Sequence, residues 1–174
     1  MEYYIAQIFG MCALVSCALS YQATKKKNFL IVQLITNIFY GAQYLILKAY
    51  SGFMSSFISL IKNTLFYNLE KRNIKISIWI LFVFEIAFIT AGIFTYNGIY
   101  SLIPIFIHSV YTFGTWIKDL RITYTIGIGS AILWIIYGFV IRAYVSIIAS
   151  VIELVASIIG LRKVLLNNKE EEKC

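Results

Sequence analysis

The sequence predicts an all-α membrane protein: seven transmembrane helices, built as two parallel three-helix repeats joined by a linker helix in a 3+1+3 plan. Three observations carry this expectation. The first is composition: of 174 residues 60% are hydrophobic and 13% charged, with mean hydropathy +0.81, more apolar side chain than a soluble core can hide. The second is an internal repeat. Shifted by 94 positions, Lys48-Ala49-Tyr50 falls on Arg142-Ala143-Tyr144, Ser56, Ile58 and Leu60 fall on Ser150, Ile152 and Leu154, and Tyr40 falls on Trp134; such a repeat fixes architecture before any residue has a role. The third is the placement of charge, which is one-sided.

A helix crossing the hydrocarbon core needs about 20 apolar residues. Segments near that length fall at 4–22, 28–48, 51–70, 75–96, 98–118, 122–141 and 144–162. The first has no basic cluster ahead of it and no small-residue cleavage site behind it, so the expectation is a retained span rather than a signal peptide. With these spans, Lys25, Lys26, Lys27, Lys71, Arg72, Lys75, Lys118, Arg121, Arg162, Lys163, Lys169 and Lys173 lie on one side, and Lys48 and Arg142 on the other. That bias predicts an N-terminus outside and a C-terminus in the cytoplasm. The net charge of +7 is then a topology signal and an attraction to anionic lipid, and nucleic acid is not an expected partner. The fourth span, 75–96, has a topological purpose. Two three-helix units in direct succession would be inverted relative to each other; one extra crossing lets both run the same way. The expected organisation is one transmembrane domain over 1–163, with repeat one at 4–70, the linker helix at 75–96 and repeat two at 98–163, followed by a cytoplasmic tail at 164–174.

Polar groups at bilayer depth are costly unless they face a partner or a wet cavity. Lys62, Glu85, His108 and Glu153 each lie nine to eleven residues from the outer end of their spans, hence at one depth, about 15 Å down. Lys62 and Glu85, on consecutive antiparallel spans, are expected to form a structural ion pair. His108 and Glu153 are expected either to hydrogen-bond each other or to serve as a proton-coupling pair. Gln33, Asn37, Tyr40 and Tyr44 share one face of the second span, and Gly127, Ala131, Trp134 and Gly138 are their counterparts in the sixth. The third span has the stripe Gly52, Ser56, Ser59, Asn63, and the seventh has Ser146, Ser150, Glu153, Ser157. These stripes can line a central cavity or, equally, let helices pack closely. Gly10 and Pro104 occupy matching places in the first and fifth spans, as hinges or fixed kinks.

The 3+1+3 plan, the outside N-terminus, and Ser20-Tyr21-Gln22 followed by Lys25-Lys26-Lys27-Asn28 together resemble the bacterial YgjV-type inner-membrane protein family, which is distantly similar to the SWEET, PQ-loop and PnuC-type transporters. The Pro-Gln pair of the PQ-loop group is absent: Ser20-Tyr21-Gln22 lies near its place, and the second copy has Gly114-Thr115-Trp116. The resemblance implies a substrate clamp made by aromatics on the second and sixth spans and polar residues on the third and seventh. By that implication Tyr40, Trp134, Asn63 and the Glu153/Ser157 turn bind substrate, together with Asn37. The carboxylate favours a polar, cationic or nitrogen-containing solute over a neutral sugar.

Cys12, Cys17 and Cys174 have no metal-ligand spacing and imply no disulfide framework. No phosphate-binding glycine loop and no nucleophile with a base at workable spacing occurs, so neither an enzyme nor a cofactor or metal site is expected. The function expected is transport or facilitation of a small polar solute across a bacterial cytoplasmic membrane by alternating access. The alternative is a membrane receptor or assembly factor that binds a peptide or partner protein in the same bundle. Self-association into a homo-oligomer stays open.

Overall fold

A computed structural model of the chain describes residues 1–20, 26–72, 74, 77–116 and 120–171. Among these residues it contains seven α-helices and no strand: α1 Glu2–Ser20, α2 Lys26–Ile46, α3 Tyr50–Lys71, α4 Ile78–Phe94, α5 Ile103–Trp116, α6 Leu120–Val140 and α7 Tyr144–Glu171, with a 3-10 turn at Ile99–Leu102 ahead of α5. Tyr21, Gln22 and Lys25 of the first basic loop, Lys75 at the expected start of the fourth span and Lys118 at the expected end of the fifth lie outside the described residues. The last helix continues through most of the expected tail, to Glu171.

Among the described residues, one of the seven expected spans meets the length and hydropathy needed to cross a bilayer alone, Tyr144–Leu166 in α7. Glu2–Cys17, Leu30–Ile46, Ile78–Phe94, Ile99–Gly114 and Tyr124–Val140 are apolar but shorter. The physical reason is visible in α3, whose buried face consists of Ser51, Gly52, Ser55, Ser56, Ile58, Ser59, Lys62 and Phe66. Its polar residues are turned into the bundle, so mean hydropathy understates how apolar its outer face is.

The helices pack in a closed cycle, α1 on α2, α2 on α3, α3 on α5, α5 on α6, α6 on α7 and α7 back on α1, and α4 lies outside it against α3 and α5. The bundle buries many polar side chains beside its apolar ones and is apolar without. Gln43, Ser55, Ser59, Lys62, Thr112, Ser146 and Ser150 are buried, while Val83, Ile86, Ile93 and Phe94 on α4, and Ile148, Val155 and Ile159 on α7, stand on the outer surface. That is the reverse of a water-soluble bundle and suits lipid as the surrounding solvent. The α4 face turned inward, Leu81, Phe84, Glu85, Phe88 and Ala91, packs with Leu30, Ile58, Phe66 and Ile105.

The two short turns 94 residues apart share one backbone geometry. Lys48 (φ 58°) and Arg142 (φ 59°) are both left-handed. Ala49 N–H donates to Tyr44 O at 2.8 Å and Lys48 N–H to Leu45 O at 3.1 Å; Ala143 N–H donates to Gly138 O at 2.9 Å and Arg142 N–H to Phe139 O at 3.3 Å. Each is a Schellman close of one helix that leads straight into the next. Pro104 is the second residue of α5, directly after the 3-10 turn. Its missing N–H falls in the first turn, where it interrupts no intrahelical bond.

Candidate functional site

The end of the bundle that holds the two turns is closed by hydrogen bonds linking α1–α3 to α6–α7. Gln7 of α1 donates through Nε2 to Arg142 O at 3.1 Å and accepts from Val145 N–H at 3.3 Å. Ser146 of α7 donates to Gln43 Oε1 of α2 at 2.7 Å, and Tyr137 of α6 shares a 3.2 Å hydrogen bond with Ser51 of α3. Gln43 and Tyr137 are themselves 94 positions apart. Two glycines permit this closure. A Cβ on Gly10 would sit 2.6 Å from Gln43 Nε2, and one on Gly52 would sit 2.9 Å from Tyr137 Oη. Gly10 thus acts as a contact surface for Gln43 in α1, which gives its smallness a reason other than a hinge.

Below this closure runs a column of rings. Tyr40 stacks on Tyr44 (centroids 5.9 Å apart) and Tyr44 on Trp134 (6.0 Å), with Tyr137 edge-on to both Tyr44 and Trp134; His108 meets Trp134 edge-on at 5.7 Å and stacks on Phe88 of α4 at 5.7 Å. Tyr40 and Trp134, expected to clamp a substrate, are both engaged with Tyr44, so the middle of the cycle is spanned by side chains where the sequence suggested an open hollow. The grooves described, one of ≈ 460 Å³ beside Ile89, Gly92, Ile93, Tyr96, Leu102 and Ile105 and another of ≈ 270 Å³ beside Ile128, Ile158 and Leu165, lie on the apolar outer surface.

The four ionisable groups that residue counting puts at one level meet other partners than those expected. No ion pair joins Lys62 to Glu85 among the described residues. Lys62 Nζ donates to Thr112 Oγ1 at 3.2 Å and lies 6.0 Å from the Phe66 ring centroid, and Glu85 accepts from Ser109 Oγ. Both reach to α5, which packs on α3 and α4 alike, and they stay within electrostatic reach of each other. His108 and Glu153 do not bond either. His108 Nδ1 shares a 2.8 Å hydrogen bond with Ser59 of α3, and Glu153 accepts from Tyr111 Oη. The reason is azimuth: His108 is on the side of α5 turned to α3 and α4, and Tyr111 extends toward α7.

Asn37 is half-buried and donates to Gln33 O at 2.8 Å. Asn63 is half-buried, one residue beyond Lys62. Ser157 is buried beside Gly127 of α6, whose added Cβ would lie 2.6 Å from Ser157 Oγ and 3.9 Å from Tyr111 Oη. Glu153, Ser157 and Tyr111 therefore form one polar corner between α5, α6 and α7, to which Asn37 and Asn63 are not bonded. Sequence reasoning missed Tyr111, Ser109 and Thr112, the three α5 residues that receive Glu153, Glu85 and Lys62. Their signal was available: each stands within four residues of His108. Among the described residues no three of His, Cys, Asp and Glu converge as metal ligands would. The arrangement offers hydrogen bonding, stacking and charge.

The sequence model of a family described as bacterial inner membrane protein, Imp-YgjV, matches residues 4–168 of the chain. No curated protein and no solved structure matches it.

Proposed function

The chain belongs to the Imp-YgjV family of bacterial inner membrane proteins, and from that premise we propose that it carries a small polar solute through the bilayer by alternating access. In this reading α1–α3 and α5–α7 are two SWEET-like units related by an axis along the membrane normal, α4 is the linker, all seven helices span, the N-terminus is outside and the tail is cytoplasmic. No catalytic step is involved.

The observation that carries the reading is the contrast between the two ends of the polar interior. At the end of the two turns Gln43, Tyr44, Ser51, Tyr137 and Ser146 are buried and cross-linked by hydrogen bonds. Further along the same helix faces Gln33, Asn37, Asn63, Tyr111 and Glu153 keep part of their surface accessible. A carrier closed outside and facing the cytoplasm would have this distribution. Asn37, Asn63, Ser157 and Glu153 would then hydrogen-bond the solute and set its charge preference, and Tyr40 and Trp134 would reach it once Tyr44 turns aside.

The rival is a receptor or assembly factor that uses the bundle to hold a peptide or partner protein. The experiment that separates them is a thermal-shift screen of the solubilised protein against metabolites, followed by uptake of any hit into proteoliposomes, since a ligand of the folded state raises the melting temperature. A hit that is transported, and whose transport is lost in Glu153→Gln or Asn63→Ala, supports the carrier. A protein that moves no member of the panel while a partner co-purifies stoichiometrically supports the rival.

A further inference from the structure

We propose that Glu85 is a proton-binding site of this protein: at the junction of α3, α4 and α5 its carboxyl group is held as the neutral acid with Lys62 drawn aside onto Thr112, and loss of the proton brings Lys62 across to it. The inference is independent of whether a solute is carried.

Glu85 is the one ionisable residue of α4 and is 7% exposed, set among Leu81, Phe84 and Phe88. Its Oε2 takes the Ser109 hydroxyl, and its Oε1 is buried with no hydrogen-bond partner among the described residues. Lys62, 4% exposed, is the cation nearest at hand, yet its Nζ donates to Thr112 Oγ1, which in turn donates to His108 O at 2.7 Å. A buried carboxylate with a bare oxygen beside an ammonium group that does not bond it is a costly arrangement. The neutral acid lowers the carboxyl's share of that cost, because an unpartnered oxygen on an uncharged group costs less to bury than one on a carboxylate. It carries no charge to be matched, and Lys62 has no reason to leave the hydroxyl.

The other titratable groups facing this point come from the two helices that pack on α4. From α3 these are Lys62 and the half-buried Tyr67; from α5, His108, whose Nδ1 is committed to Ser59 and whose ring lies on Phe88. The step is a plain proton equilibrium. One O–H bond on the carboxyl forms or breaks, the proton is exchanged with water, and Lys62 keeps its own protons while exchanging Thr112 for the carboxylate.

The test is infrared spectroscopy of the protein in lipid bilayers, reading the C=O stretch of protonated carboxyl groups. At neutral pH the wild type should show a band that Glu85→Gln removes, that Glu153→Gln leaves, and that disappears from the wild type as pH is raised. A spectrum unchanged by Glu85→Gln overturns the proposal. A second variant keeps the test independent of how Glu85→Gln folds. If Glu85 is a neutral acid, Lys62→Met keeps both the band and a near wild-type melting temperature. If the two form a buried ion pair, Lys62→Met melts far lower and adding Glu85→Gln restores it; that outcome also overturns the proposal.

Discussion

α1 and α5 occupy corresponding places in the helix cycle, each joined to the helix that follows it and to the last helix of the opposite set, yet they carry different chemistry. Under the 94-residue offset of the two turns, His108, Ser109, Tyr111 and Thr112 of α5 fall on Leu14, Val15, Cys17 and Ala18 of α1. α5 takes Ser59 and Lys62 from α3, Glu85 from α4 and Glu153 from α7. α1 contributes Gln7 at the closed end and otherwise buries Ala6, Gly10, Ala13 and Ser16. α1 is a packing helix and α5 the polar hub. Two helices in matching places of one cycle, each on the same side of a like-built turn, can therefore differ entirely in what their middles do.

The largest expected effect is at the hub. His108→Ala would open a void between Phe88 and Trp134 and strand Ser59, with an expected loss of roughly 3 kcal/mol of stability, whereas Leu14→Ala on α1 should lose about 1 kcal/mol; thermal unfolding in detergent measures both. Equal losses would break the contrast between the helices. Next is Tyr111→Phe, which removes the donor to Glu153 and should lose about 1–3 kcal/mol. At the closed end Ser146→Ala leaves Gln43 without a partner for either end of its amide among the described residues, an expected loss of about 2 kcal/mol. Tyr137→Phe, which removes the partner of the Ser51 hydroxyl and of the Gly52 backbone, should lose about 1–2 kcal/mol. The smallest effect is at the two left-handed turn residues. Lys48→Gly and Arg142→Gly relieve a strained φ but add backbone freedom to the unfolded chain, so each should shift stability by under about 1 kcal/mol, and in the same direction. Opposite signs would mean that the two turns are not equivalent.

Helix number and order were legible in the sequence because apolar length and the basic loops mark the ends of each segment, and the turns because Lys48-Ala49-Tyr50 and Arg142-Ala143-Tyr144 repeat. Relative level was legible too: Lys62, Glu85 and Glu153, counted to one level, bond Thr112, Ser109 and Tyr111 of α5. Azimuth was not. Lys62 and Glu85 share a level on consecutive helices, but whether they meet depends on how far each helix is rotated and on what stands between them, and here α5 supplies Thr112 and Ser109 instead. His108 and Glu153 fail to meet for the same reason. That Pro104 falls in the first turn of α5 was not legible, because the 3-10 turn that moves the start of α5 to Ile103 has no strong sequence signal. Tyr44 was visible at the end of the Gln33, Asn37, Tyr40 stripe, but not that it would fill the space between Tyr40 and Trp134.

The central claim is that the polar interior is sealed beside the two turns and accessible from the cytoplasm. Asn63→Cys and Ser55→Cys, each in a chain with Cys12, Cys17 and Cys174 replaced, test it with a membrane-impermeant maleimide applied to right-side-out and inside-out vesicles. The account predicts that Asn63→Cys reacts only in inside-out vesicles and Ser55→Cys, beneath the seal, in neither. Labelling of Asn63→Cys from the outer side, or no labelling from either side, would contradict it.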